Sequence, residues 1–257
     1  MAYRYKLKIA YDGTDYAGWQ IQPQKKTIQG ALEHTLSDML AGAPLRLEAS
    51  GRTDAGVHAR AQVAHVDFPE KIGDLRYFCR GVNALLDEDI RVQSIQPVEA
   101  SFHARFSAKG KEYRYFIYNG MVVPPPLRHI RLQEGRRLDV HRMNAAAVLL
   151  QGKHDFAPFA ANRGYGDEDT VRTVHQIKVV RRGAEVMISA TGEGFLYKMV
   201  RSIAGFLMDV GMGRIEPEEA KAIFAKGERT ARVQTALAKG LFLWLSLIHI
   251  SEPTRPY

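Results

Sequence analysis

The chain has 257 residues, of which 46% are hydrophobic and 25% are charged, and its net charge is +8. This composition is typical of a globular protein with one large core or two small ones. No apolar run is long enough to predict a membrane span. The basic charge favours a polyanionic partner, because lysine and arginine release counterions from phosphates. The N-terminus begins with a strand pattern instead of a signal core, so we predict a cytoplasmic protein.

The cysteine and histidine content excludes two further classes of site. The single cysteine, Cys79, cannot form an intramolecular disulfide. It lies among apolar residues at helical spacing, which favours a buried and inert thiol. The nine histidines are scattered along the chain, and none has the spacing typical of a zinc site.

The first half of the chain predicts a βαββαβ unit. Residues 3–11 alternate apolar and basic side chains, as in a half-buried strand. The polar loop over 12–20 carries aromatic side chains that either stack on bases or pack as a surface loop. Thr27 is the expected cap of an amphipathic helix that ends near Gly42. The unit is completed by strands over 45–50, 61–68 and 90–98, and by a second helix with Leu75, Phe78, Cys79, Val82, Leu85 and Leu86 on its buried stripe.

The second half predicts the same order of elements. We therefore predict an α+β fold of two tandem ferredoxin-like βαββαβ halves, residues 1–105 and 106–245, which form one joined antiparallel sheet with a central RNA-binding cleft. A glycine-rich loop is expected over 163–169. The predicted strands cover 111–118, 170–181, 184–191 and the residues from Leu241, and the predicted helices cover 139–151, 195–210 and a short segment opened by Pro217.

A nine-residue motif, Gly51 to Ala59, lies between two of the predicted strands. Two glycines bracket Arg52 and Asp54, so the backbone can turn sharply and hold the carboxylate in one place. Arg52 can pair with this carboxylate or bind a substrate phosphate. Taken alone, such spacing is more typical of a turn that only connects two strands.

Three further features have both a functional and a structural interpretation. Arg201 stands in an otherwise apolar helix, where it needs a carboxylate partner such as Asp54 unless its stem reaches solvent. Tyr113 could stack on a base, although an isolated tyrosine on a strand is more often part of the core. The segment 102–107 mixes basic and aromatic residues, which fits either an RNA-facing linker or a hinge packed under the sheet.

The motif Gly51 to Ala59 resembles the signature of the tRNA pseudouridine synthase A family, whose members isomerise uridine in the anticodon stem-loop of tRNA. The resemblance covers residues 3–244. Further blocks follow in the family's order: Tyr11-Asp12-Gly13, Gly18-Trp19-Gln20, Gly81-Val82-Asn83, Phe102 to Ser107, Tyr113-Arg114-Tyr115, His154-Asp155-Phe156, Thr170 to Thr173, Met199-Val200-Arg201 and Gly240 to Leu243.

The resemblance implies a role for each matching residue. Asp54 would be the catalytic carboxylate, and Arg201 would pair with it and keep it ionised. Arg52 would help displace and hold the flipped nucleotide. Tyr113 would stack against the target base, and Leu241 would help close the pocket.

The resemblance also implies partners and a substrate. The expected substrate is tRNA, modified at positions 38, 39 or 40 of the tRNA, and the expected assembly is a homodimer away from any membrane. We predict Arg105 and His58 as further RNA-binding residues.

The implied reaction breaks the N-glycosidic bond, turns the base and rejoins it through carbon. It consumes no water and moves no electron out of the substrate, so we expect neither a metal nor another cofactor. One carboxylate could act as a nucleophile, or as the base that removes a ribose proton to give a glycal. Two rival functions are a non-catalytic RNA-binding module and a metal-dependent phosphohydrolase that uses Asp54.

The resemblance stops after Trp244. The residues that follow resemble translated sequencing-adaptor sequence, and we assign 246–257 as a non-native tail. The segment 245–250 is apolar and compatible with a strand, so it can still extend the last strand of the sheet.

Overall fold

The structure, a computed structural model, describes residues 2–161 and 169–248. Over these residues the chain is an α+β protein with five α-helices and ten strands in one mixed sheet. The strands are β1 (Tyr3–Tyr11), β2 (Glu48–Ala49), β3 (His58–Phe68), β4 (Ile90–Pro97), β5 (Ala108–Tyr118), β6 (Leu132–Gln133), β7 (Gly152–Asp155), β8 (Val171–Arg182), β9 (Glu185–Gly192) and β10 (Leu241–Ile248). The helices are α1 (Ile28–Met39), α2 (Leu75–Leu85), α3 (Val140–Leu149), α4 (Met199–Gly211) and α5 (Glu219–Lys226).

Two predictions fall partly or wholly outside the described residues. The loop expected over 163–169 is described only at its last residue, and the assigned tail only over 246–248. The tail residues that are described continue β10 beside β5. Among the described residues, none of the helices combines the length and the apolar character needed to cross a membrane.

Side-chain caps begin three of the helices where the sequence predicts a helix start. The hydroxyl of Thr27 accepts a hydrogen bond from the backbone N–H of Gly30 at 3.3 Å. The carboxylates of Asp74 and Asp139 accept bonds from first-turn N–H groups of α2 and α3 in the same way. Each cap satisfies a backbone donor that has no partner within its helix.

The sheet follows the order β4-β1-β3-β10-β5-β9-β8-β7, with β2 beside β3 and β6 beside β5. The prediction of a purely antiparallel sheet is wrong, because β10 runs parallel to β3 and β6 runs parallel to β5. At the junction His58 pairs with Phe242, and Ala59 pairs with Leu243. Since β10 also pairs antiparallel to β5, this one strand links β3 to β5 within the continuous sheet.

Several boundaries differ from the prediction for identifiable reasons. The strand expected over 45–50 is reduced to β2, and β3 begins at His58, inside the glycine-bracketed motif. Helix α4 begins at Met199 instead of Phe195, because Lys198 has a left-handed backbone with φ of 58°. Strands β6 and β7 were not predicted, since two to four residues are too few to display an alternating pattern.

Cys79 of α2, predicted to be buried and inert, is half-buried, and its surroundings agree with an inert thiol. The thiol of Cys79 donates to the carbonyl oxygen of Val92 at 3.3 Å, and burial raises the pKa of this thiol. Both facts agree with an inert cysteine. Leu85, expected on the buried stripe, is exposed. It is the last residue of α2, where the chain leaves the face that packs on the sheet.

Candidate active site

A cleft of about 650 Å³ opens where the two halves of the sheet meet. Its walls come from the loop between β2 and β3, from β5, and from the loop that leads into α4. Among the described residues, the charged side chains that line it are Arg46, Arg52, Arg105, Lys111, Arg172, Lys198, Arg201, Glu48, Asp54 and Asp169. Basic groups thus outnumber carboxylates, which favours a polyanionic ligand.

Asp54 is held in the wall of this cleft by backbone and hydroxyl contacts of its own loop. The backbone N–H of Trp19 donates to the carbonyl oxygen of Thr53 at 3.0 Å. The hydroxyls of Thr53 and Tyr11 lie 2.8 Å apart and share a hydrogen bond. The N–H of Val57 donates to the carbonyl oxygen of Asp54 at 3.1 Å and closes a turn. The carboxylate therefore points from a loop that is fixed on both sides.

Two glycines outside the motif allow this loop to approach the preceding one. A Cβ at Gly18 would lie 2.6 Å from the carbonyl oxygen of Thr53, and the φ of Gly18 is +98°. A Cβ at Gly13 would lie 2.0 Å from the carbonyl oxygen of Val57. Trp19, whose ring could have stacked on a base, is buried in the core. The loop over 12–20 therefore packs against the loop of Asp54, while its end, Trp19 and Gln20, also lines the cleft.

The structure brings Arg201 and Asp54 together across the cleft. Nη1 of Arg201 lies 3.4 Å from Oδ2 of Asp54, and the two side chains are 13% and 22% exposed. Nε of Arg201 donates to the carbonyl oxygen of Ala236 at 2.8 Å. The gap to Asp54 is at the long end of hydrogen-bond distances, so the pair interacts mainly through charge. Partial burial reduces the screening of that attraction.

Two of the predicted substrate-contacting side chains lie beside this pair. Tyr113 is buried in the wall of the cleft, and its ring stands edge-on to that of Phe195 at 5.3 Å. Burial, the nearby Tyr11 and the charge of Asp54 all raise the pKa of Tyr113, which keeps the phenol neutral. Leu241, the first residue of β10, is also buried and lines the same cleft.

The cationic residues of the cleft include two that were predicted and one that was missed. Arg52 and Arg105 are exposed at the cleft, as expected of residues that bind RNA phosphates. Lys111 was not predicted, and its ammonium lies against Gly51. Burial and the neighbouring Arg105 lower the pKa of Lys111. The strand period offered a signal for it, because residues two apart on β5, such as Lys111 and Tyr113, point to the same face.

Other lining residues were also missed, among them Arg46. Arg172 belongs to a recognised sequence block that suggested no role, and Lys198 was assigned to a helix interior. Phe195 was expected in the same helix, whereas it lies in the loop before α4 and supports the ring of Tyr113. The left-handed backbone of Lys198 is the cause of both misassignments, and no local sequence pattern indicates it.

His58 does not lie where an RNA-binding residue could act. Its side chain is fully buried, and its ring stacks on that of Phe242 at 4.6 Å. Nε2 donates to the carbonyl oxygen of Lys239 at 3.1 Å. As placed, this histidine ties β3 to the start of β10 and cannot contact RNA.

Within the described ranges, one group of three side chains has the residue types and spacing of a metal site: Glu48, His65 and His103, whose ligand atoms lie within 4.8 Å of one another. Nδ1 of His65 accepts a bond from the N–H of Ala104, and Nδ1 of His103 accepts one from the N–H of Arg105. Each neutral ring therefore carries its proton on Nε2, and that of His103 is 2.9 Å from Glu48. A metal-bound histidine normally donates from its second nitrogen, so this group does not suit a metal.

The mixed sheet and its basic cleft with one Arg–Asp pair belong to a known class of RNA-modifying enzymes. The model of the tRNA pseudouridine synthase family matches residues 8–107 and 146–246. The chain belongs to this family.

Individual relatives extend the match over nearly the whole chain. The tRNA pseudouridine synthase A of Anoxybacillus flavithermus is 45% identical over 94% of this chain and 97% of its own length. The tRNA pseudouridine synthase A 1 of Protochlamydia amoebophila is 42% identical over 93% and 94% of the two chains. The tRNA pseudouridine synthase A of Geotalea uraniireducens is 44% identical over 93% and 96%.

Proposed function

We propose that this chain isomerises uridine to pseudouridine in the anticodon stem-loop of tRNA, with Asp54 as its one catalytic carboxylate. The observation that carries the proposal is the pairing of Asp54 with Arg201 inside a basic cleft that both halves line. Family membership supplies the reaction, and the charge of the cleft agrees with a polyanionic substrate.

In this proposal the cleft receives a nucleotide that has left the base stack. Arg52, Arg105 and Lys111 bind phosphates at the entrance, which offsets the cost of flipping the nucleotide. The ring of Tyr113, supported by Phe195, stacks on the base. Leu241 packs against the remaining side of the pocket and excludes water.

Arg201 is the charged neighbour of Asp54. Its guanidinium lies 3.4 Å from the carboxylate and attracts negative charge there. An ionised carboxylate is what the reaction needs, whether it attacks the substrate as a nucleophile or removes a ribose proton. The turn that begins at Asp54 directs the carboxylate into the cleft while its backbone stays bonded to the rest of the loop.

We further propose that the sheet consists of two ferredoxin-like halves. The strand order β4-β1-β3-β2 in the first half and β10-β5-β9-β8 in the second supports this, since both follow the same sequence of elements. A cytoplasmic homodimer is proposed from the family resemblance alone. Light scattering after size-exclusion chromatography tests the dimer, and a mass of about 28.9 kDa would contradict it.

The test of the proposed reaction is Asp54→Asn, with Asp169→Asn as the matched control. Both carboxylates line the cleft, but Asp169 caps the N–H of Val171 and has no ion-pair partner among the described residues. We expect Asp54→Asn to lower turnover by at least about a thousandfold while tRNA affinity changes by less than about threefold. Asp169→Asn should keep most of the activity. Mass spectrometry of digested tRNA measures the product.

The same assay separates the rival functions. Normal pseudouridine in tRNA treated with Asp54→Asn would contradict the catalytic role, and a binding module would give no product even with the unaltered chain. A metal-dependent phosphohydrolase would lose activity in the presence of a chelator. We expect full pseudouridine formation under those conditions, since the group Glu48, His65 and His103 does not suit a metal.

A further inference from the structure

Arg229 is a half-buried arginine that the proposed reaction does not use. It lies just after α5, outside the residues that line the cleft. Among the residues that the structure describes, its guanidinium has no carboxylate partner, and its hydrogen bonds all go to neutral oxygens. Burial lowers the pKa of Arg229. Partial burial of a cation that is held only by neutral groups has a desolvation cost, which suggests that Arg229 has a structural role.

The four bonds of Arg229 connect three separate segments. Nη1 donates to the carbonyl oxygen of Ala160 at 3.1 Å and to the hydroxyl of Ser202 at 2.9 Å. Nη2 donates to the carbonyl oxygen of Val233 at 2.6 Å and to the hydroxyl of Thr235 at 2.7 Å. One planar guanidinium thus ties the first turn of α4 to residues 233–236, a segment named here the strap.

The strap is the element that orients Arg201. The carbonyl oxygen of Ala236 accepts the bond from Nε of Arg201 at 2.8 Å, and the N–H of Ala236 donates to the carbonyl oxygen of Arg201 at 3.0 Å. The strap passes so close to α4 that a Cβ at Gly205 would lie 2.1 Å from the carbonyl oxygen of Gln234. Any shift of the strap therefore moves the acceptor on which the guanidinium of Arg201 rests.

We propose that Arg229 is a positioning residue that sets the Arg201–Asp54 pair through the strap. The inference rests on the proposed roles of Asp54 and Arg201. Arg229 fixes the strap beside Ser202, and the strap fixes Nε of Arg201 so that Nη1 faces Asp54. Because the gap between that pair is already 3.4 Å, a small displacement of the strap weakens the charge interaction on which turnover depends.

A double-mutant cycle tests whether Arg229 acts through Arg201. The substrate is tRNA that carries tritium on the base carbon that becomes bonded to the ribose. The release of this tritium is followed in single turnovers. We expect Arg229→Met to lower the rate by about ten- to a hundredfold and to change tRNA affinity by less than about threefold. In an Arg201→Met background, the same substitution should lower the rate by less than about twofold.

Two milder variants and one control distinguish a positioning effect from a general loss of folding. Arg229→Lys keeps the charge but not the fork of donors, and Thr235→Val removes one acceptor at nearly constant size. Both should lower the rate in the unaltered chain and leave it unchanged in the Arg201→Met background. Arg181→Met is the control, because Arg181 also donates to neutral oxygens, at Asn119 and Leu138, but lies outside the cleft. It should leave turnover unchanged.

The possible outcomes distinguish failure of the positioning role from failure of the proposed function. If the rate losses at positions 229 and 201 multiply, or if Arg229→Met, Arg229→Lys and Thr235→Val all turn over like the unaltered chain, the positioning role is wrong. If tRNA affinity falls in step with the rate, Arg229 supports binding and the role is equally wrong. If the unaltered chain releases no tritium, the proposed function fails, and the Arg229 inference fails with it.

Discussion

The two walls of the cleft hold their charged groups by different means. On the first wall Asp54 is fixed by its loop, which rests on the preceding loop at Gly13 and Gly18. On the second wall Arg201 is fixed by a bond from its own side chain to Ala236. The carboxylate thus depends on positions where a side chain is absent, whereas the guanidinium depends on polar groups that are present.

This difference decides which substitutions damage each wall. We expect the first wall to be sensitive to an added Cβ at Gly13 or Gly18, where the clash falls on the loop of Asp54. We expect the second wall to be sensitive to loss of the bond between Arg201 and Ala236, and also to an added Cβ at Gly205, which would lie 2.1 Å from the carbonyl oxygen of Gln234. Asp54 and Arg201 interact across a gap of 3.4 Å. A displacement of either wall therefore weakens the charge interaction between them.

Among the substitutions that compare the two walls, the largest effect is expected at Gly18. Gly18→Ala adds a Cβ 2.6 Å from the carbonyl oxygen of Thr53 at a φ of +98°, so the loop of Asp54 must move. We expect a loss of about 2–4 kcal/mol in the free energy of unfolding and at least about a hundredfold loss of turnover. Urea denaturation and the tritium-release assay measure the two quantities.

The control for this substitution is Gly42→Ala. Gly42 has a φ of +80°, but a Cβ there would meet no atom within 4 Å. Gly42→Ala should lower the free energy of unfolding by only about 1 kcal/mol, because alanine disfavours this backbone conformation, and turnover should be unchanged. Equal losses of turnover in the two variants would mean that the first wall does not depend on the close approach at Gly18.

A smaller effect is expected from Arg201→Lys on the second wall. Lysine keeps the positive charge, but one ammonium cannot reproduce the separate bonds to Ala236 and Asp54. We expect turnover to fall by about ten- to a hundredfold, with tRNA affinity unchanged within about threefold. Steady-state kinetics measures turnover, and a filter-binding assay measures tRNA affinity. Turnover equal to that of the unaltered chain would show that charge alone suffices and that orientation is unimportant.

Local sequence patterns predicted the elements of both walls better than the contacts between them. The alternation over 3–11 and the cap at Thr27 gave β1 and α1 correctly, because periodicity and capping are local properties. The pairing of His58 with Phe242 joins residues far apart in the chain, and no local pattern indicates it. This pairing buries His58, which is why its assignment to RNA failed.

The family resemblance identified the site residues, which local sequence patterns did not. It placed Asp54, Arg201, Tyr113 and Leu241 in one site, and the structure brings all four to the same cleft. It gave no information on Lys111 or the strap. Both depend on side-chain and backbone contacts across the fold, such as the bond from Arg201 to Ala236, which a motif does not encode.

Tyr113 offers a test of intermediate size at the second wall. Tyr113→Phe keeps the ring that stands against Phe195, so turnover should stay within about threefold of the unaltered chain if stacking is its role. Tyr113→Leu removes the ring and should lower turnover by about tenfold or more. The two variants are compared in the tritium-release assay. Equal losses would assign the role to the hydroxyl and contradict stacking.

The smallest effect is expected from Arg52→Gln, at the exposed edge of the first wall. Arg52 has no hydrogen bond or ion pair with the described residues, so its loss removes a phosphate contact without disturbing the loop. The slope of log affinity for tRNA against log salt should become shallower by about 0.7–0.9, with turnover at saturating tRNA unchanged. Arg182→Gln, an exposed arginine of β8 outside the cleft, is the control. If Arg52→Gln instead lowers turnover at saturation, Arg52 acts beyond a phosphate contact, either on the flipped nucleotide or on the position of Asp54.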